Sequence, residues 1–105
     1  MTNLIEEDRE ASIDGIRQLA DFIEQHPDLP NLIWSIHPDL PMQLTGVVPL
    51  RTRDRTADVR AWAEFLGSEV NVNRKPDRTE LTTKGQSGDL TFQVVGDVYD
   101  WQVNA

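Results

Sequence analysis

The 105-residue sequence contains no cysteine, and this absence excludes disulfide bonds and thiolate metal ligands. No apolar run approaches the roughly 18 residues that a membrane-spanning helix needs. The first ten residues are acidic and lack the basic-then-apolar order of a secretory signal peptide. These absences predict a cytoplasmic protein without a membrane segment. The length of 105 residues predicts a single domain over residues 1–105.

Basic residues are also scarce, because ten lysines and arginines stand against 18 aspartates and glutamates, which gives a net charge of −8 at pH 7. Most of the excess lies in residues 1–50, which hold nine acidic and two basic side chains. Phosphate binding needs a positive surface, so this balance argues against nucleic-acid binding as the main role. An acidic first half suits a basic protein partner, and it also suits simple solubility.

The first helix is predicted over residues 6–26, where apolar side chains recur at helical spacing and Pro27 prevents continuation. Its expected buried stripe, with Leu19 beside it, consists of Ile13, Ile16, Ala20 and Ile23. Four carboxylates fall within one arc away from this stripe, where Arg17 is the one cation that relieves their charge, and we call them the acidic ridge: Glu7, Glu10, Asp14 and Asp21. Phe22 lies outside the stripe, so either a loop covers its ring or a partner contacts it.

Turn and capping signals divide the rest of the chain into a second helix and six strands. The helix is predicted over residues 57–66, from an N-cap at Thr56 to Gly67 at its carboxyl end. The strands are predicted at residues 32–37, 42–48, 69–74, 79–84, 90–95 and 98–103. Gly96-Asp97 is predicted to form the hairpin turn between the last two strands. We therefore expect an α+β domain of order α-β-β-α-β-β-β-β, with two helices packed on one face of a mainly antiparallel sheet.

Residues 16–30, with the sequence IRQLADFIEQHPDLP, resemble the start of small uncharacterised proteins from actinobacteria and their phages. In those proteins a Leu-Ala-Asp-Phe-Leu-Glu-like helix ends in His-Pro-Asp/Glu-Leu-Pro. A strand pair, a second helix with a Val-Arg-Ala-like start and C-terminal strands follow, and residues 59–61 of this chain fit that plan. The resemblance implies an origin in an actinobacterium or its phage, and no activity comes with it.

The pentapeptide His-Pro-Asp-Leu-Pro occurs twice, at residues 26–30 and 37–41. His26 and Asp28 from one copy, with His37 and Asp39 from the other, would supply two nitrogens and two oxygens for zinc if the turns met. Neither histidine belongs to a helical H-x-x-x-H pair, and nothing in the sequence brings the turns together. We therefore favour a helix-capping histidine and a turn histidine, with no metal.

Three arginines alternate just before the second helix, at Arg51, Arg53 and Arg55. In an extended segment they would project to one side, close to the positive end of the helix dipole, which is a plausible anion or phosphate site. The alternatives are ion pairs with the acidic ridge and solvated side chains of little individual value. We favour the two structural alternatives over a ligand site.

No nucleophile elbow, P-loop or G-x-G-x-x-G motif occurs, so we assign no catalytic residue, no enzyme activity and no cofactor. The favoured hypothesis is a small acidic interaction protein, encoded by a phage as the resemblance implies, that binds or inhibits a host protein. The acidic ridge would steer it to a basic surface, Phe22 would add an apolar contact, and imitation of nucleic-acid charge is one form of this role. The alternative is an anion- or small-molecule-binding domain that uses the three arginines. Homodimerisation through a strand edge is compatible with both.

Overall fold

The computed structural model describes residues 4–37 and 40–100, and within them the side chains of residues 9–10, 13–36 and 43–100. The elements follow in the order α1 (Leu4–Gln25), β1 (Ile33–His37), β2 (Leu40–Val47), α2 (Arg55–Leu66), β3 (Asn71–Arg74), β4 (Arg78–Ser87) and β5 (Leu90–Tyr99). This confirms the α+β class and the expected order up to the fifth strand. The separate sixth strand is wrong, because its first residues belong to β5.

The strands form one sheet in the spatial order β1-β2-β5-β4-β3. Three of the neighbouring pairs are antiparallel, and β2 with β5 is the parallel pair. A parallel pair needs a long crossover, and here α2, β3 and β4 together provide it. The sheet is thus mainly antiparallel, as expected, but its parallel pair joins segments that are far apart in the chain.

The prediction of a hairpin at Gly96-Asp97 is wrong, because β5 runs straight through it. The long strand β4 pairs with β5 along its whole length, from Arg78 opposite Tyr99 to Ser87 opposite Leu90. A Cβ atom at Gly96 would lie 2.7 Å from Cγ2 of Val59 in α2. The glycine therefore allows a helix to approach the strand closely, and the chain reverses instead at Gly88-Asp89.

Both helices pack on the same face of the sheet, and their contacts meet at Phe92. This fully buried ring lies 4.8 Å from the Phe22 ring of α1 and 5.6 Å from the Trp62 ring of α2, between centroids. Leu90 and Val94 flank Phe92 on the same face of β5 and are also buried. The core therefore fills the space between the two helices and the centre of the sheet.

Helix α1 buries a different arc from the one expected. Leu19 and Phe22 are in the core, whereas Ile13, Ile16 and Ile23 are 40%, 52% and 36% exposed. Both sets of residues have helical spacing, so periodicity alone does not choose between them. The aromatic ring decides the rotation, because Phe22 stacks on Trp62 and packs against Phe92.

Helix α2 begins two residues before its predicted start. Asp54, and not Thr56, is the N-cap, and its Oδ1 accepts a hydrogen bond from the backbone N–H of Ala57 at 3.0 Å. Gly67 closes the helix in the left-handed conformation with φ of 65°, which confirms the predicted carboxyl end. No helix among the described residues is long and apolar enough to cross a membrane.

Candidate protein-binding site

The three carboxylates of the acidic ridge whose side chains the structure describes lie on the solvent side of α1. Glu10, Asp14 and Asp21 are exposed, while Glu7 belongs to the helix but its side chain lies outside the described part. None of the three exposed carboxylates has a cation within ion-pair distance among the described residues, where the ion pairs involve Arg74 and Arg78. The predicted alternative in which the arginines before α2 neutralise the ridge is therefore not observed. The charges of Glu10, Asp14 and Asp21 therefore face solvent.

The prediction that Phe22 presents its ring to a partner is wrong. The side chain is only 8% exposed, because its ring lies 4.2 Å from the ring of His26 and 5.6 Å from that of Phe65. The second helix, the sheet and His26, which begins the loop after α1, together cover the ring. Ile13 is the exposed apolar residue beside the ridge, since it precedes Asp14 and lies one turn after Glu10.

The three arginines before α2 do not form one anion site. Arg51 and Arg53 are exposed, but Arg55 is 4% exposed and donates to the main-chain carbonyl oxygens of Leu50 and Asp97. The side chains therefore diverge, although their spacing in sequence predicts a common side. A common side requires an extended backbone through all three residues, whereas α2 already begins at Arg55.

The amino end of α2 already carries negative charge. The carboxylate of Asp54 caps it, and Asp58 lies in its first turn. Burial, and then the nearby charge of Asp54, raise the pKa of Asp58. A bound anion would face both carboxylates, so this helix end is poorly suited to hold one.

The arginines on either side of the turn between β3 and β4 form ion pairs with a carboxylate of β5 and with that of Asp100, which follows β5. Arg74 forms two parallel hydrogen bonds to Asp100, each 2.8 Å long, and these lower the pKa of the Asp100 carboxyl. Arg78 lies 3.0 Å from Asp77 and, through Nε, 3.4 Å from Asp97. Sequence reasoning missed these pairs, because only the register of β4 with β5 brings residues 97–100 to the turn.

His26 caps the carboxyl end of α1, as the favoured alternative predicts. Its Nδ1 donates to the carbonyl of Phe22 at 2.9 Å, which leaves one ring nitrogen for other contacts. Asp28 is exposed, the side chain of His37 lies outside the described part, and Asp39 lies outside the described residues. Among the residues that are described, no three histidine, aspartate or glutamate side chains cluster as metal ligands would.

The aromatic core offers no room for a ligand. A cavity between α1 and β1, lined by His26, Leu29, Trp34 and Trp62 among others, has a volume of about 10 Å³. Such a volume holds one water molecule at most, whereas pockets for small molecules measure roughly 300–1,000 Å³. The Trp62 indole N–H next to it already donates to the carbonyl of Pro30 at 2.9 Å.

No family model, no curated protein and no solved structure matches the chain significantly. Within the described side chains, the exposed carboxylates of Glu10, Asp14 and Asp21 on α1, which have no ion-pair partner there, are the feature that most resembles a binding site.

Proposed function

We propose that this protein is a small, acidic, non-enzymatic interaction protein, and that its acidic ridge binds a basic surface on a protein partner. One observation carries the proposal: Glu10, Asp14 and Asp21 are exposed on one helix, and no cation pairs with them in the described part of the chain. Carboxylates that are left unpaired on a rigid helix create a directed negative field.

The physical role of the ridge is to accelerate encounter with the partner. A net charge of −8 attracts a basic surface over a distance of about one Debye length, and the ridge orients the approach. Ile13 then supplies an apolar contact at the border of the charged face, in place of the buried Phe22.

The resemblance in residues 16–30 favours a cytoplasmic protein of an actinobacterial host as the partner, and a phage as the source of this chain. Inhibition through imitation of nucleic-acid charge is the most specific form of this role, because a DNA-binding host protein offers a basic surface of that kind. The alternative of an anion-binding domain loses support, since Arg55 is occupied by carbonyl groups.

Affinity capture with matched charge-reversed variants tests the proposal. The full chain is immobilised and exposed to a nuclease-treated actinobacterial lysate, and the retained proteins are identified by mass spectrometry. The ridge variant carries Glu10→Lys, Asp14→Lys and Asp21→Lys. The control variant has the same net charge but reverses three exposed carboxylates elsewhere, through Glu64→Lys, Glu69→Lys and Asp89→Lys.

We expect one basic protein to be retained by the wild type and the control variant and to be lost with the ridge variant. With the purified partner, the ridge variant should associate at least about tenfold more slowly and show a flatter dependence on salt. If duplex DNA displaces the chain from this partner, the binding imitates nucleic acid. Equal retention by both variants would contradict the role of the ridge.

A further inference from the structure

The two edges of the sheet differ in how they are protected against pairing with another strand. The β3 edge is only four residues long and carries Arg74, paired with Asp100, and it is followed by Lys75 and Pro76. Short length, charge and proline are the usual means of blocking an edge. Strand β1 is also short, at five residues, and Pro38 follows it directly, so the two edges differ in charge. The β1 edge carries no Asp, Glu, Lys or Arg side chain, because residues 29–37 contain none of these residues.

Strand β1 is also regular enough to accept a partner strand. Its register with β2 is uninterrupted from Ile33 to Ile36, and the irregularity lies at its last residue. Because β1 pairs with β2 on one side alone in the described sheet, its other side presents backbone N–H and C=O groups without a strand to bond them.

Apolar side chains flank this edge on both faces of the sheet. On the face that the helices leave open, Ile33 is 60% exposed and lines a shallow depression with Pro49, Leu50 and Arg51. On the other face, Ile23 lines the same small cavity as Trp34 of β1, so this flank of α1 lies next to the edge.

The exposed isoleucines of α1 continue this second flank. Ile16 is 52% exposed and precedes Ile23 by seven residues, which is two turns along the same side of the helix. At 100° per residue, Asp14 and Asp21 lie about 160° around the helix from these two isoleucines. The apolar flank and the acidic ridge therefore point in different directions.

We infer that β1 pairs antiparallel with β1 of a second copy of this chain, across a twofold axis, to join two sheets into one. Pairing centred on Ser35 places Trp34 opposite Ile36 of the second copy on the helix-covered face. Both residues are half-buried in the single chain, so they have apolar surface left to cover.

Symmetric pairing and the lack of charged side chains at the edge favour a second copy as the occupant. The twofold axis at Ser35 brings Trp34 and Ile36 together twice, so the edge is complementary to itself. The charge of −8 on each chain opposes self-association, and this repulsion is smallest at the β1 edge, where residues 29–37 place no like charges against each other. A second copy also brings a helix on one face and a loop on the other, and it covers Ile16 and Ile33 together. A lone extended segment covers little beyond the strand itself.

The test compares the same substitution at the two edges of the full chain. Sedimentation velocity is recorded from micromolar to submillimolar concentration for the wild type, Ile33→Lys and Val72→Lys. The two positions match well, because Ile33 in β1 is 60% exposed and Val72 in β3 is 67% exposed. Circular dichroism establishes that each variant is folded, and Ser35→Lys, also at an exposed position of β1, replaces Ile33→Lys if the latter unfolds.

We expect the wild type to reach twice the 11.9 kDa mass of the chain. Ile33→Lys should raise the dissociation constant of the dimer at least about tenfold, because it buries one lysine from each copy between the two β1 strands. Val72→Lys should leave this dissociation constant unchanged. A wild type that stays monomeric, or a dimer that Val72→Lys dissociates equally, would overturn the inference. Dissociation by Ile16→Lys without an effect of Ile33→Lys would also overturn it. The triple-lysine ridge variant should keep the wild-type mass, so this result is independent of the proposed function.

Discussion

The guanidinium group of Arg55 donates from Nη1 to the main-chain carbonyl of Asp97, which lies 42 residues further along the chain. Its Nη2 donates to the carbonyl of Leu50, just before α2. The guanidinium carbon also lies 6.0 Å from the centroid of the Tyr99 ring. Arg55 therefore ties the loop before α2 to strand β5, and its charge serves the fold rather than a ligand.

Replacement of Arg55 by methionine should destabilise the protein strongly. The substitution removes two charge-assisted hydrogen bonds of the buried Arg55 guanidinium, to the carbonyls of Leu50 and Asp97, and we expect a loss of about 3 kcal/mol in the free energy of unfolding. Urea denaturation measures this value. Arg53→Met is the control, because Arg53 is exposed two residues earlier and should change stability by less than about 0.5 kcal/mol. Equal losses for the two variants would show that the contacts of Arg55 are not structural.

Replacement of Gly96 by alanine should be costly unless Val59 is shortened as well. The new Cβ would lie 2.7 Å from Cγ2 of Val59, and we expect a loss of about 2 kcal/mol from overpacking. Val59→Ala opens a cavity at a fully buried position and is itself destabilising. The double variant should be more stable than the sum of the two effects by about 1 kcal/mol or more. Strict additivity in the double-mutant cycle would mean that the helix moves away from the strand instead.

Removal of the Asp100 carboxyl should flatten the acid side of the stability curve. The hydrogen bonds from Arg74 lower the pKa of Asp100 below its ordinary value of 3.8. A group with a lowered folded pKa stabilises the fold above its unfolded pKa and loses that contribution as pH falls through the folded pKa. Asp100→Asn should therefore reduce stability above pH 4 or so, and the difference from the wild type should vanish at lower pH.

The measurement for this pair is urea denaturation at a series of pH values. Asp89→Asn removes an exposed carboxyl from the turn before β5, where no ion pair is present among the described residues, and it is the control. A difference between Asp100→Asn and the wild type that stays constant with pH would contradict the role of the Arg74 pair.

The candidate site was predictable in its charged part and not in its apolar part. The spacing of Glu10, Asp14 and Asp21 places them on one arc of any helix, and α1 is a helix, so their common exposed face followed from local geometry. The position of Phe22 outside the isoleucine stripe predicts a contact with a partner, and this prediction is wrong. Its burial depends on Trp62 and Phe92, which are 40 and 70 residues away in sequence, and no local pattern reports such contacts.

The sequence by itself determined the α+β class, the order of the elements up to the fifth strand and the end of α2 at Gly67. Periodicity and turn preferences depend on residues that are close together in the sequence, so both can be recognised without the tertiary structure. Only the tertiary structure decided the parallel pairing of β2 with β5, the unbroken course of β5 through Gly96 and the rotation that buries Phe22. Each of these depends on hydrogen bonds or packing between segments that are far apart in the sequence. The local sequence allows more than one arrangement of each segment, and contact with the distant segment selects one of them.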